Sequence, residues 1–166
     1  MQARVGLTWL LMAGVFGVLA APSVAASGHP PEHLPPRIES GSFVDTETCG
    51  FPITFVFRSR ITDTIYFDKS GTPVRERFLV KQPSLDTAKG TTLRENDVFS
   101  DVIDFRTGKE WLVGATFKIT APGLGHVLLQ AGRSVFDLDG NLLFVAGPHP
   151  LLDGGDPFAE FCGAFG

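Results

Sequence analysis

The sequence predicts an all-β protein, built as an antiparallel meander of about eight strands. Apolar and polar residues alternate with a period of two along much of the chain after residue 37, and clusters of Asp, Gly and Pro separate the alternating runs. Helix-forming runs are almost absent from the same region. The composition agrees, because 15 Phe and 19 Gly residues suit a core of strands joined by many turns.

The N-terminal residues have the pattern of a secretory signal peptide. Arg4 gives a positively charged start, residues 5–21 form an almost uncharged apolar run, and residues 24–26 are small enough for a cleavage site. A membrane anchor is the alternative, but the apolar run is short and Pro22 breaks its end. We therefore expect cleavage after Ala26 and a secreted, extracellular protein whose mature form has no membrane span.

The remaining chain divides into a short leader and one domain. Residues 1–26 are the signal peptide, residues 27–37 are a flexible, proline-rich leader, and residues 38–166 form a single all-β domain. The chain has two cysteines, Cys49 near the first strands and Cys162 near the C-terminus. In an exported protein, such a pair predicts one disulfide that closes most of the domain into a loop.

The strands follow from the alternation, and most of them end at a turn rich in Asp and Gly. We expect strands at residues 38–46, 53–58, 61–67, 73–80, 99–105 and 110–120, and in a hairpin at residues 126–147. Residues 81–96 are less regular and predict a loop followed by a short strand at 91–94. A short helical turn is expected at residues 157–161, because Pro157 suits a helix start.

The hairpin at residues 126–147 is the clearest element. Asp137 and Gly140 fit a type I turn followed by a left-handed residue, and the resulting register places Val135 opposite Leu143. Both faces of this hairpin are apolar, so each needs a cover. Together with the meander, this favours closure into a small, calycin-like up-and-down barrel, which removes exposed strand edges. A β-sandwich is the alternative.

The strand at residues 110–120 has the most regular alternation. Its apolar stripe includes Trp111 and Phe117, while Glu110 and Lys118 mark the opposite face as solvated. We therefore expect Trp111 to face the core.

Several functions are disfavoured by the sequence. It contains none of the common catalytic, phosphate-binding or metal-ligand motifs, so no cofactor and no metal are expected. The 14 Lys and Arg residues are fewer than the 18 Asp and Glu residues and are scattered through the strands. Because this leaves no basic stripe in the sequence, a nucleic acid is not expected as a partner.

The preferred function is a secreted, non-enzymatic binding module for a small apolar molecule or lipid. A closed meander has room for one small ligand, and the abundant Phe residues would make its interior or mouth apolar. The candidate ligand contacts are Trp111, Phe117, His126 and His149. Two alternatives stay open: a structural or envelope-interaction domain, and a small β-barrel enzyme in which His126 or His149 works with a nearby carboxylate.

One resemblance covers the whole mature chain. The signal peptide, Cys49-Gly50, the Asp-x-x-Gly hairpins and residues 147–150 followed by Phe161-Cys162 resemble small secreted all-β proteins of actinobacterial type. The resemblance implies a secreted β-domain and implies no activity.

Overall fold

A computed structural model describes residues 29–152 and 156–166. Within them the chain forms eight β-strands and one short helix, and all the strands pair in antiparallel fashion in a single sheet. The prediction of an all-β antiparallel meander is confirmed. The predicted signal peptide and its cleavage site lie outside the described residues. In the part of the chain that is described, no helix is long and apolar enough to cross a membrane.

The sheet follows the order of the chain. Its elements are β1 (Glu32–His33), β2 (Arg37–Asp45), β3 (Ile53–Phe67), β4 (Pro73–Ala88), β5 (Thr91–Asp104), β6 (Lys109–Ala121), β7 (Gly125–Asp137), β8 (Leu142–Ala146) and the helix α1 (Ala159–Gly163). From β3 onward each strand pairs with the next, while β1 and β2 share the free side of β3. Among the described strands, no pairing joins this edge to β8 at the other edge. The closed barrel therefore stays a prediction.

The central strands are longer than the alternation predicted. β3 continues through the two strands expected at 53–58 and 61–67, and β4 and β5 extend to a tight turn at Lys89 and Gly90, which have φ of 47° and 80°. Residues 81–96, which were expected to be irregular, are thus part of a regular hairpin. Its alternation is hidden in the sequence because the residues that face inward there, such as Ser84 and Glu95, are polar although they are buried.

Part of the proline-rich leader belongs to the sheet. Glu32 pairs with Ile65 and His33 with Thr64, and His33 Nδ1 lies 3.1 Å from the Thr64 hydroxyl oxygen. Prolines flank this two-residue strand on both sides, so they limit its length without removing its own backbone donors. This segment is therefore paired, in contrast to the flexible leader that was expected.

The last hairpin forms as predicted at its turn but not in its register. Asp137 Oδ1 accepts hydrogen bonds from the backbone N–H groups of Asp139 and Asn141 at 3.0 and 2.8 Å, and Gly140 has a φ of 82°. Val135 pairs with Phe144, so the predicted pairing with Leu143 is wrong. A register shift between Val135 and the next residue causes the difference.

The apolar core lies at one end of the sheet, beneath α1. Phe161 and Phe165 from the C-terminal segment pack there against buried apolar residues of β3, β5, β6 and β7, among them Ile53, Leu93, Ile119 and Leu128. The predicted disulfide joins Cys49 to Cys162 and holds α1 against the start of β3. Because the two cysteines are 113 residues apart, the bond can stabilise the fold by up to about 4 to 5 kcal/mol in the chain-entropy treatment.

Candidate functional site

Strands β3 to β7 place most of their acidic residues on one face of the sheet and their basic residues on the other; Asp104 and Asp137, at strand ends, are outer-face exceptions. We call the face that carries Ile53 and Glu95 the inner face, and the opposite face, which carries Arg60 and Trp111, the outer face; cross-strand pairing and alternation assign the other residues. The acidic residues on the inner face are Asp63, Glu76, Asp86, Glu95, Asp97, Asp101 and Glu110. The basic residues on the outer face are Arg58, Arg60, Arg75, Arg77, Lys81, Arg94, Lys109, Lys118 and Arg133.

Three of the inner acids form a buried cluster next to the apolar core. Asp86, Glu95 and Asp97 are exposed by 0, 5 and 3%, respectively. Asp86 Oδ1 accepts a hydrogen bond from the Ser84 hydroxyl at 3.0 Å, and Asp97 Oδ1 accepts one from the backbone N–H of Lys118 at 2.9 Å. Burial raises the pKa of Asp86 and of Asp97 to about 6. Burial, followed by the charges of Asp97 and Asp86, raises the pKa of Glu95 to about 9, so Glu95 is protonated at neutral pH.

The other four inner acids form a row across β3, β4, β5 and β6. Asp63, Glu76, Asp101 and Glu110 occupy diagonal positions on successive strands. Burial, then the charges of Glu110 and Glu76, raises the pKa of Asp101 to about 7. Burial and the charge of Asp63 likewise raise the pKa of Glu76, while the Arg37 guanidinium at the edge of the sheet acts in the opposite direction.

These acids can hold and exchange protons, but the structure does not show them as a ligand site. Among the described residues, no group of three or more His, Cys, Asp or Glu side chains is arranged to hold a metal ion. Two hollows on the surface of the sheet are instead lined mainly by outer-face residues. The candidate ligand site is therefore on the outer face.

The first hollow surrounds Trp111 and has a volume of about 320 Å³. Arg75 and Arg133 flank the indole, with guanidinium carbons 5.8 and 5.9 Å from the ring centre, and Val102 and Val113 complete the lining. Both distances fall in the range of cation–π contacts. We call these five residues the Trp111 hollow.

The two arginines of the Trp111 hollow have unused hydrogen-bonding capacity. Arg75 donates one hydrogen bond from Nη2 to Asp104 Oδ2 at 3.4 Å, while its buried Nε has no acceptor among the described residues. Arg133 is exposed and has no hydrogen-bond partner within the same part of the chain. A carboxylate or phosphate group would supply the missing acceptors, and the indole and valines offer apolar contact for the rest of the ligand.

The second hollow lies further along the outer face, towards the core end of the sheet, and has a volume of about 270 Å³. Arg58 and Arg94 flank it, and Val56, Pro83 and Leu85 provide apolar contacts. It combines two guanidinium groups and an apolar floor as the Trp111 hollow does, but its outer-face lining contains no aromatic residue.

Trp111 is placed differently from the prediction. It lies on the outer face, and its neighbour Glu110 faces inward, so the prediction that Trp111 faces the core is wrong. The apolar residues of β6 do not all share one face, because a register shift between Ala115 and Phe117 breaks the alternation. As a result, Ile119 is on the buried inner face, whereas Trp111 is on the outer face.

The other three predicted contacts are not brought to Trp111. Phe117 is 37% exposed, and His126 is exposed at the opposite end of β6 and β7, about 30 Å from Trp111 at strand spacing. His149 is buried, and its Nε2 lies 3.1 Å from the carbonyl oxygen of Ala146. No carboxylate hydrogen-bonds to His126 or His149 within the described residues, and position 153 lies outside them.

The sequence analysis did not predict a role for the arginines of the Trp111 hollow or for the inner acids. The signal for them is the run Arg75-Glu76-Arg77 within a strand, because neighbouring strand residues point to opposite faces. Adjacent charges of opposite sign therefore predict one basic and one acidic face.

Comparison with models of known protein families, with curated proteins and with solved structures finds no match to this chain.

Proposed function

We propose that this protein is a secreted, non-enzymatic binding module for a small amphipathic anion, such as a fatty acid or the acidic part of a lipid. The observation that carries the proposal is the flanking of Trp111 by the guanidinium groups of Arg75 and Arg133 in one hollow. The arginines would bind the acidic group, and the indole and valines would contact the apolar part. The proposed site is open to solvent and does not depend on closure of the sheet.

The same observations favour a different ligand and a different binding position from the apolar ligand in the interior that the sequence predicted. An apolar ligand inside the sheet would need an apolar lining, whereas the inner face carries seven acidic residues between its Phe and Ile side chains. Moving apolar groups against such carboxyl groups would remove water from them without replacing its hydrogen bonds. The outer face offers positive charge and apolar surface together, which favours an amphipathic anion.

Binding is favoured over catalysis by the positions of the histidines. An acid–base mechanism of the predicted kind needs a histidine within hydrogen-bonding distance of a carboxylate. His149 is instead buried against the carbonyl group of Ala146. Export is supported by the disulfide between Cys49 and Cys162, since such bonds persist in oxidising compartments.

The test is calorimetric titration of the protein with dodecanoate and with dodecanol. We expect dodecanoate to bind at least about tenfold more tightly than the alcohol, because charge-assisted hydrogen bonds to arginine stabilise only the anion. Arg133→Gln should weaken dodecanoate binding by at least about tenfold for the same reason. Lys118→Gln is the matched control, since Lys118 is also an exposed outer-face cation but does not line the Trp111 hollow.

Two results would contradict the proposal. One is equal affinity for the acid and the alcohol. The other is a loss of affinity in Lys118→Gln as large as that in Arg133→Gln.

A further inference from the structure

The positive charge of the outer face extends well beyond the Trp111 hollow. A second group of cations, which we call the basic patch, consists of Arg58, Arg60, Lys81 and Arg94 at the core half of the outer face. All four side chains are exposed. Among the described residues, none of them forms an ion pair with a carboxylate. No carboxylate of the described residues therefore neutralises the basic patch.

The arrangement of the basic patch is unfavourable without an anion. Arg60 and Lys81 are direct cross-strand partners, and like charges at such positions repel each other. Arg58 lies on the same face of β3, two positions before Arg60. A partner with several negative charges would remove this repulsion.

Apolar side chains are interleaved with these cations. Val56, Leu85 and Val98 are 50, 47 and 47% exposed on the same face. Val56 and Leu85 contribute to the second hollow between Arg58 and Arg94. The partner must therefore offer apolar surface as well as negative charge.

We infer that the outer face of the sheet is a docking surface for an anionic lipid bilayer. Its cations come from all of β3 to β7, so they cover an area about 20 Å wide and about 30 Å long. An array of phosphate head groups matches such an area, and six of the nine outer-face cations are arginines, which bind phosphate through two parallel hydrogen bonds. The exposed Val and Leu side chains would contact the boundary of the acyl chains.

A single soluble polyanion matches the same surface less well. A polymer chain follows a narrow track of charge, whereas these cations are spread over the width of five strands. It also gives the exposed Val56, Leu85 and Val98 side chains little apolar contact.

The formal net charge of −4 does not oppose this docking. Much of the negative charge lies on the buried inner face, away from the docking surface. Burial also keeps Glu95 protonated at neutral pH, because it raises the pKa of that carboxyl to about 9. An approaching bilayer therefore meets a cationic surface.

The inference goes beyond the proposed function, because the basic patch lies outside the Trp111 hollow. The test is co-sedimentation of the mature chain, which begins at Ser27, with vesicles of phosphatidylcholine alone and with vesicles that also contain phosphatidylglycerol. We expect binding only to the anionic vesicles, and weaker binding in high salt. The variant R60Q/K81Q/R94Q should partition about 100-fold more weakly, since each cation near an anionic surface contributes roughly a fivefold gain.

The matched control is R37Q/K69Q/K89Q, which removes the same charge from exposed residues outside the outer face; Lys89 lies in the turn between β4 and β5, with its Nζ 3.9 Å from the centre of the Phe51 ring. It should bind within about threefold of the unchanged protein, as expected for cations away from the surface. The variants separate the two proposals, because Arg133→Gln should weaken dodecanoate binding by at least about tenfold but vesicle binding only about fivefold, whereas R60Q/K81Q/R94Q removes cations that do not line the Trp111 hollow. If the triple basic-patch variant does not fold, Arg94→Gln alone should still give about a fivefold loss.

Three outcomes would overturn the inference. The first is equal binding to neutral vesicles, and the second is an equal loss in the control variant. The third is tight binding of heparin or single-stranded DNA, dependent on the basic patch, with no binding to anionic vesicles. Failure of dodecanoate binding with intact vesicle binding would instead overturn the proposed function alone.

Discussion

At the scale of single residues, Trp111 shows how the surroundings of one side chain define a site. Its ring lies between Arg75 and Arg133, on a face where it was not expected. The indole therefore reports on a local positive potential, and not on the apolar core.

This potential predicts a preference among fluorescence quenchers. Iodide, an anion, should quench Trp111 more strongly than caesium, a cation, because the two guanidinium groups attract the first and repel the second. The measurement is a Stern–Volmer titration of the mature chain, which begins at Ser27 and contains Trp111 as its only tryptophan. In Arg133→Gln the preference for iodide should fall by roughly half.

Equal quenching by both ions would show that the arginines do not flank the ring in solution. Strong protection from both ions would support the original prediction of a core-facing Trp111.

At the scale of elements, β6 depends on a close approach of its backbone to β5. Gly114 has a φ of 127°, and a Cβ atom there would lie 2.8 Å from Phe99 Cα and would also collide with the carbonyl oxygen of Val98. Both contacts are with backbone atoms, which cannot move away without breaking the pairing of the two strands. Only glycine suits this position.

Gly114→Ala is therefore expected to destabilise the protein by about 3 kcal/mol or more, through backbone strain and overlap together. The matched control is Gly123→Ala, because Gly123 also has a positive φ, 78°, but has no atom within 4 Å of the added Cβ. Its cost should be about 1 kcal/mol, from the left-handed backbone alone. Urea unfolding followed by circular dichroism measures both. Equal costs would mean that the close approach of β5 and β6 is absent.

At the scale of the whole molecule, the buried inner acids make stability depend on pH. Their pKa values are raised, to about 6 for Asp86 and Asp97, about 7 for Asp101 and about 9 for Glu95. Between the ordinary carboxyl pKa and these values, the folded state binds more protons than the unfolded chain. Stability therefore falls as pH rises through this window.

We expect the protein to be most stable near pH 5 and to lose at least about 2 kcal/mol, or roughly 5 °C in its melting temperature, by about pH 9. Below about pH 4 stability should fall again, because hydrogen bonds in the turns lower the pKa of Asp68 and Asp137. Calorimetric melting curves across this range measure the effect.

Glu95→Gln should flatten the fall of stability between about pH 5 and about pH 9 and make the variant the more stable protein at the alkaline end, since glutamine has no proton to lose. Glu39→Gln, at an exposed position of β2, should leave the slope unchanged. A melting temperature that rises with pH would show that the inner acids are solvated and not buried.

The sequence was informative where the forces are local. Asp137 bonds to backbone groups only two to four residues away, so its turn is encoded in a few neighbouring positions. The meander follows from the same short-range alternation and turns, and the pairing of Cys49 with Cys162 follows because the chain has no other cysteine. The predicted strand boundaries were less accurate in β4 and β5, because polar residues that face inward there hide the alternation of apolar and polar residues.

Only the tertiary structure decided which face of each strand is inside. Alternation separates Glu110 from Trp111 but does not state which of the two is buried, and hydrophobicity alone favoured the wrong choice. The face of each side chain follows from the pairing of five strands. This pairing places Arg75, Trp111 and Arg133, from β4, β6 and β7, on one face. By itself the sequence determined an all-β meander with its turns and its disulfide. The candidate site arose from contacts between residues far apart in the chain, whose energies no local pattern records.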